Sequence, residues 1–92
     1  MPEPITRRLT IQNEKGLHAR ASAKLVELVE DYDAQVEVTK DGLSASGDSI
    51  MGLLMLAASK GAEIEVESRG AQAEALMDAI ESLVADRFGE DM

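Results

Sequence analysis

The beginning of the chain alternates between apolar and polar positions, which is the pattern of a β-strand with one buried face. Ile5, Leu9 and Ile11 occupy the apolar positions, and threonine and arginine lie between them. Arg7 shares the apolar side, so we expect it near an end of the sheet with its guanidinium in water. The turn residues Asn13-Glu14-Lys15-Gly16 predict the end of this strand.

After residue 18 the apolar positions recur with the period of an α-helix. The apolar stripe comprises Ala21, Leu25, Leu28, Val29 and Tyr32. This stripe predicts a helix over residues 18–30. A shorter helix is predicted through residues 50–56, where Asp48 or Ser49 can cap the start and Lys60-Gly61 ends the helix.

The clearest local signal is a hairpin between these two helices. Residues 36–40 and 43–46 alternate in polarity, and they flank the turn dipeptide Asp41-Gly42. A register with Val38 opposite Ala45 lets both strands bury the same face.

The last third of the chain predicts a fourth strand and a third helix. Ile64 and Val66 alternate with glutamates, which indicates a strand with an acidic solvent face. Arg69-Gly70 turns the chain into the last helix. The buried stripe of that helix comprises Leu76, Ile80, Leu83 and Val84. We expect the tail to fray from Gly89.

The predicted order of elements is β-α-β-β-α-β-α, which indicates an α+β fold. Four strands in a mainly antiparallel sheet, with three helices on one face and a polar opposite face, form an open-faced β-sandwich. The 92 residues make a single domain, 1–92, with its core at about residues 5–88.

Composition then excludes several classes of function. The chain has no cysteine and one histidine, so thiolate, iron–sulfur and multi-histidine metal sites are excluded, and we expect no metal and no cofactor. The net charge of −9 disfavours nucleic acid and anionic membranes as partners. We expect a cytoplasmic protein, because the sequence contains no candidate membrane span and no secretory leader.

The candidate chemistry lies where the first loop becomes the first helix, at Gly16-Leu17-His18-Ala19-Arg20. The first turn of a helix has unpaired N–H groups and partial positive charge, so it favours anions and an uncharged, nucleophilic imidazole. Arg20 can hold two phosphate oxygens with its planar guanidinium. These groups suit a histidine that accepts a phosphoryl group. On spacing alone, a lone histidine is more often a capping or surface residue.

A family resemblance favours the phosphoryl interpretation. The string 16–20, followed by Asp48-Ser49-Ile50-Met51-Gly52 and then by Lys60-Gly61-Ala62-Glu63-Ile64, resembles the HPr family of histidine-containing phosphocarriers. The resemblance extends from residue 5 to about residue 88 and includes the order of strands and helices.

The resemblance implies a role in the phosphoenolpyruvate-dependent phosphotransferase system. Enzyme I, charged by phosphoenolpyruvate, would pass a phosphoryl group to the δ1 nitrogen of His18, and the carrier would relay it to an enzyme II A-type acceptor. Arg20 would be the phosphate partner, and the backbone N–H groups of Ala19, Arg20 and Ala21 would surround the phosphate. Such a protein is a carrier in a phosphotransferase relay and does not turn over substrate by itself. We expect a monomer, because a transient relay needs no second copy.

Two further sets of residues match positions of known function in the family. Ser49 matches the serine that HPr kinase/phosphorylase modifies, although a serine opening a helix is also an ordinary N-cap. Ile50, Met51 and Leu54 match an apolar patch that docks partners, although core packing is the alternative use of each side chain.

The sequence departs from the family at one place and leaves two rivals open. Ala21-Ser22 stands where the family often has proline after the arginine, a form similar to the nitrogen-regulatory branch, so sugar transport and nitrogen regulation both remain open. One rival is a small phosphate-releasing hydrolase. The other is a non-catalytic interaction module that Ser49 phosphorylation controls and in which His18 has no role.

Overall fold

The four predicted strands and three predicted helices are all present in the computed structural model, which describes residues 3–92. The first two residues of the predicted 1–92 domain lie outside the described residues. The elements are β1 Ile5–Thr10, α1 Ala19–Glu30, β2 Gln35–Lys40, β3 Leu43–Ser46, α2 Ile50–Met55, β4 Glu63–Arg69 and α3 Ala73–Ala85, followed by a 3₁₀ turn at Arg87–Gly89. The predicted α+β class and element order are confirmed.

The sheet has the order β1-β4-β2-β3, and every neighbouring pair is antiparallel. Val38 lies opposite Ala45 as predicted, which confirms the hairpin register. The turn residues Asp41 and Gly42 both have positive φ, 50° and 83°, the conformation that matches the twist of a two-residue hairpin.

One face of the sheet carries the core, and the helices cover it. Val38, Ile64 and Val66 point into this core and are almost completely buried, together with Leu25 of α1 and Ile80 of α3. The glutamates between them on β4 form the opposite, solvent-facing side of the sheet. Among residues 3–92, no helix combines the length and hydropathy that crossing a bilayer requires.

Two sequence predictions, the end of α2 and the surroundings of the Arg7 side chain, need correction. α2 ends at Met55, before the predicted stop at Lys60-Gly61, because Ala57 adopts a left-handed φ of 51°. The guanidinium of Arg7 is not simply hydrated, because it donates to Asp78 at 2.8 Å and to Glu81 at 3.4 Å on α3. The hydrogen bond to Asp78 is the largest cause of a raised pKa of Arg7.

The prediction that the tail frays from Gly89 is wrong. Phe88 is fully buried, and the 3₁₀ turn brings the following residue, Glu90, back onto the loop between β1 and α1. That prediction failed because the apolar stripe of α3 does not contain Phe88, which enters the core from a separate turn. The fold therefore places two distant parts of the chain around His18.

Candidate functional site

His18 is the N-cap residue of α1, as its place between loop and helix predicts. Its backbone is extended, with φ −78° and ψ −176°, and its Nδ1 accepts a hydrogen bond from the backbone N–H of Arg20 at 3.3 Å. The side chain is 24% exposed. The Nδ1 edge of the ring is therefore directed at the start of the helix, and the ring can be reached from solvent.

The loop before His18 has a close backbone approach that only glycine allows. Gly16 has a φ of 66°, and a Cβ atom there would lie 2.3 Å from the carbonyl oxygen of Ala58. The next residue, Leu17, is buried and donates its backbone N–H to the same carbonyl at 2.8 Å. Gly16 thus joins the loop to the segment after α2 and fixes where His18 begins the helix.

The Ala-Ser pair in the first turn of α1 is packed inside the molecule. Ala21 and Ser22 are both fully buried, and the Ser22 hydroxyl donates to the Leu17 carbonyl at 3.2 Å. The backbone N–H of Ser22 donates to the His18 carbonyl at 2.8 Å, which closes the first helical bond. The earlier N–H groups, at Ala19, Arg20 and Ala21, have no intrahelical acceptor, as at the start of any helix.

The other ring nitrogen of His18 contacts a residue that the sequence analysis missed. Nε2 is hydrogen-bonded to Oε2 of Glu90, and Oε1 of Glu90 accepts from Nδ2 of Asn13 at 2.9 Å. The Glu90 side chain is only 14% exposed. The bond from Asn13, and after it the bond to His18, lowers the pKa of Glu90 below its ordinary value of 4.5. The site therefore includes an ionised carboxylate on the far side of the ring.

Three cationic side chains line a groove of about 330 Å³ beside the start of α1: Lys15, Arg20 and Lys24. Lys24 is already engaged, because its Nζ donates to the Phe88 carbonyl at 2.6 Å. Arg20 is exposed, and its guanidinium has no hydrogen-bond partner within residues 3–92. Arg20, the predicted phosphate partner, is thus placed to meet an anion at the helix start.

Ser49 occupies the same structural position on α2 that His18 occupies on α1. Its Oγ accepts a hydrogen bond from the Gly52 backbone N–H at 3.0 Å, so Ser49, and not Asp48, caps the helix. The hydroxyl is only partly buried. Ser49 is therefore an N-cap residue whose side chain remains partly exposed.

The predicted docking residues are exposed to different degrees. Met51 is 70% exposed, Ile50 is moderately exposed and Leu54 is half-buried. Met55, which is 75% exposed, was not among the predicted docking residues. Its spacing of four residues from Met51 could have identified it, because residues at that spacing share one helix face. We call Ile50, Met51, Leu54 and Met55 the apolar patch.

The arrangement combines a nucleophile with an anion-binding position. Nδ1 of His18 accepts from the Arg20 N–H in the first turn of α1, and the Arg20 guanidinium on the same turn has no hydrogen-bond partner within residues 3–92. Within the described part of the chain, no three histidine, cysteine, aspartate or glutamate side chains converge as metal ligands. The site is built to hold an anionic group next to a ring nitrogen.

Comparison with known proteins places the chain in one family. Residues 5–86 match the family described as "PTS HPr component phosphorylation site". The phosphocarrier protein HPr of Cupriavidus necator is 44% identical over 94% of this chain and 97% of its own length. The phosphocarrier protein NPr of Escherichia coli K12 is 43% identical over 88% of this chain and 91% of its own length.

Solved structures agree with the sequence relatives. The crystal structure of an HPr from Thermoanaerobacter tengcongensis superposes with a TM-score of 0.88 at 31% identity, covering 99% of this chain and 100% of that one. An HPr from Bacillus anthracis gives a TM-score of 0.86 at 29% identity, covering 90% of this chain and 99% of that one. The chain therefore belongs to the HPr family of phosphocarriers of the phosphotransferase system.

Proposed function

We propose that His18 accepts a phosphoryl group on Nδ1 from enzyme I and relays it to an enzyme II A-type acceptor in the cytoplasm. The observation that carries the proposal is the direction of Nδ1, which accepts from the Arg20 N–H in the first turn of α1. This is the position where a helix favours a phosphate. The chain offers no other histidine and no cysteine as a nitrogen or sulfur acceptor of this kind.

The surroundings of Nδ1 suit a group that must be held and then released. The backbone N–H groups of Ala19, Arg20 and Ala21 supply donors, and the exposed guanidinium of Arg20 supplies positive charge. These contacts are at the surface, so their strength is moderated by water. A tightly enclosed phosphate would be trapped, since only interactions gained in the transition state accelerate its transfer.

The apolar patch gives the carrier a surface for its partners. Backbone bonding between Leu17 and Ala58 joins the loop that carries His18 to the segment that follows α2. Met51 and Met55 lie on one face of α2 and are the most exposed members of the patch. Flexible methionine side chains adapt to different partner surfaces, which suits a protein that docks with a donor and an acceptor in turn.

Ser49 is the proposed control site, modified by an HPr kinase/phosphorylase. Its hydroxyl lies at the start of α2, where the backbone N–H groups tolerate added negative charge. The same charge would adjoin Ile50 and Met51 in the apolar patch. Phosphorylation would therefore act by weakening docking, and not by unfolding the helix.

Incubation with enzyme I and phosphoenolpyruvate, followed by ³¹P NMR, tests the proposal. We expect one acid-labile phosphoramidate per chain, present in the wild type and in Ser49→Ala and absent in His18→Ala. Ser49→Ala is the matched control because it also removes an N-cap side chain. Continuous release of inorganic phosphate would indicate the hydrolase. Full relay by His18→Ala would indicate the regulatory module, and either result would refute the carrier.

A further inference from the structure

Residues 87–90, which we call the strap, are fixed to the body of the molecule before they reach His18. Phe88 is fully buried, and Nζ of Lys24 donates to the Phe88 carbonyl at 2.6 Å. Arg87 and Phe88 have φ values of 55° and 54°, in the left-handed region that residues other than glycine rarely adopt. Such a backbone persists where surrounding contacts enforce it. The strap therefore presents Glu90 from a fixed position.

Both carboxylate oxygens of Glu90 are used inside the site. Oε2 contacts Nε2 of His18, and Oε1 accepts from Nδ2 of Asn13 at 2.9 Å. Asn13 is itself fixed, because it is fully buried and its Nδ2 also donates to the Gly16 carbonyl at 2.8 Å. These bonds lower the pKa of Glu90, chiefly through Asn13, and thus favour the ionised carboxylate. The His18 ring is therefore held by the Glu90 carboxylate, which Asn13 in turn holds in place.

The two contacts of the ring assign its proton. An ionised carboxylate has only acceptor atoms, so Nε2 of His18 must donate to Glu90. The backbone N–H of Arg20 is a donor, so Nδ1 must carry a lone pair. Both contacts select the neutral tautomer with its proton on Nε2.

We propose that Glu90 is a positioning residue that keeps the His18 proton on Nε2 and thereby directs the Nδ1 lone pair to the incoming phosphoryl group. The inference rests on the proposed function, because it takes His18 to be the acceptor. A carboxylate that orients an imidazole through one nitrogen, while the other nitrogen reacts or binds, is a recurrent device in enzymes and metal sites.

The transfer step balances without any further reactant. The Nδ1 lone pair forms a bond to phosphorus while the bond from phosphorus to the donor breaks, and that electron pair returns to the donor. The Nε2 proton stays on the ring, so the phosphorylated imidazole carries a positive charge, and the Glu90 carboxylate faces that charge. Transfer to the acceptor reverses each of these changes.

Glu90→Gln distinguishes this role from simple packing. Asn13 keeps donating toward residue 90, because turning its amide over would break the bond to Gly16. The new amide oxygen therefore faces Asn13, and its NH₂ group faces Nε2 of His18. Nε2 becomes an acceptor, and the ring proton shifts to Nδ1 at the expense of the long 3.3 Å bond from the Arg20 N–H. The substitution preserves shape while reversing the tautomer.

The ring nitrogens report this change directly. His18 is the only histidine, so protein labelled with ¹⁵N in histidine gives a single pair of ring signals. At a pH that keeps the ring neutral, we expect the proton on Nε2 in the wild type and on Nδ1 in Glu90→Gln. Asp91→Asn removes the same charge from the exposed next residue and should match the wild type. An unchanged ring spectrum in Glu90→Gln would overturn the positioning role.

Transfer kinetics complete the test. With enzyme I as donor, Glu90→Gln should accept the phosphoryl group about 10- to 100-fold more slowly than the wild type, the effect typical of losing an orienting partner of histidine. Asp91→Asn should react at the wild-type rate. Equal rates for Glu90→Gln and the wild type would overturn the proposal. Failure of the wild type to react would refute the proposed function instead, and the ring signals would still report the tautomer.

Discussion

The α1 and α2 helices begin in the same way, with a side chain that accepts a hydrogen bond from a first-turn N–H group. His18 accepts at 3.3 Å and Ser49 at 3.0 Å. The serine bond has the ordinary length of a cap, whereas the histidine bond is long. The His18 ring is also held from its other edge by Glu90, and Ser49 has no such support among the described residues.

The difference shows that the same structural position, the N-cap of a helix, suits a serine and a histidine for different roles. A serine cap is held by its own bond to the helix, so its hydroxyl is a structural group that a kinase could modify from outside. Glu90 holds the His18 ring at Nε2. A phosphate can therefore replace the long hydrogen bond at Nδ1 without changing the orientation of the ring. We therefore expect changes at the two caps to have different consequences.

The largest expected effect comes from removing the side chain that anchors the strap, which carries Glu90 to His18. Phe88→Ala deletes a fully buried side chain that anchors the strap, and it should lower the free energy of unfolding by about 3–5 kcal/mol. Leu43→Ala, at an exposed apolar residue, should change it by less than about 0.5 kcal/mol. Denaturant titrations measure both. A Phe88→Ala loss as small as that of Leu43→Ala would mean that the strap is not anchored.

A smaller effect should follow from placing charge at the serine cap. Ser49→Asp and Ser49→Asn both preserve an N-cap acceptor, but only aspartate adds a negative charge beside the apolar patch. We expect Ser49→Asp to lower the rate of phosphoryl transfer to His18 about tenfold, since the added carboxylate would have to lose water when a partner covers the apolar patch. Ser49→Asn should react as the wild type. Equal rates for the wild type and Ser49→Asp would contradict control through charge.

The smallest expected effect is the pH dependence of the stability that Glu90 contributes. The folded pKa of Glu90 is lowered, so its contribution to stability is present above its ordinary value of 4.5 and is lost as pH falls through the folded pKa. The difference in free energy of unfolding between the wild type and Glu90→Gln should therefore shrink on acidification. Chemical denaturation at neutral and acid pH measures it. A difference that grew on acidification would contradict a lowered pKa of Glu90 in the folded protein.

Local patterns sufficed to predict the strands, the helices and one half of the site, whereas the order of the strands in the sheet was not predicted. The hairpin register followed from the turn chemistry of Asp41-Gly42 and the period-two alternation around it. The position of His18 followed from the change of period at residue 18, where a loop becomes a helix. Both signals depend on residues close together in the chain, so a single sequence contains them.

The other half of the site depends on contacts between distant residues. Glu90 meets His18 from 72 residues away, and nothing near Glu90 in the sequence marks it as a partner. Its placement follows from the burial of Phe88 and the left-handed turn around it, which are consequences of tertiary packing. Arg7 shows the same limit, because its partners lie on α3 and not on a neighbouring strand.

The central claim is that Nδ1, and not Nε2, carries the phosphoryl group. Because the chain has one histidine, protein labelled with ¹⁵N in histidine and phosphorylated by enzyme I has a single candidate ring. The ³¹P signal should be split by one-bond coupling to Nδ1, with the proton retained on Nε2. Coupling to Nε2, or a phosphorus signal with no coupling to either ring nitrogen, would contradict the account.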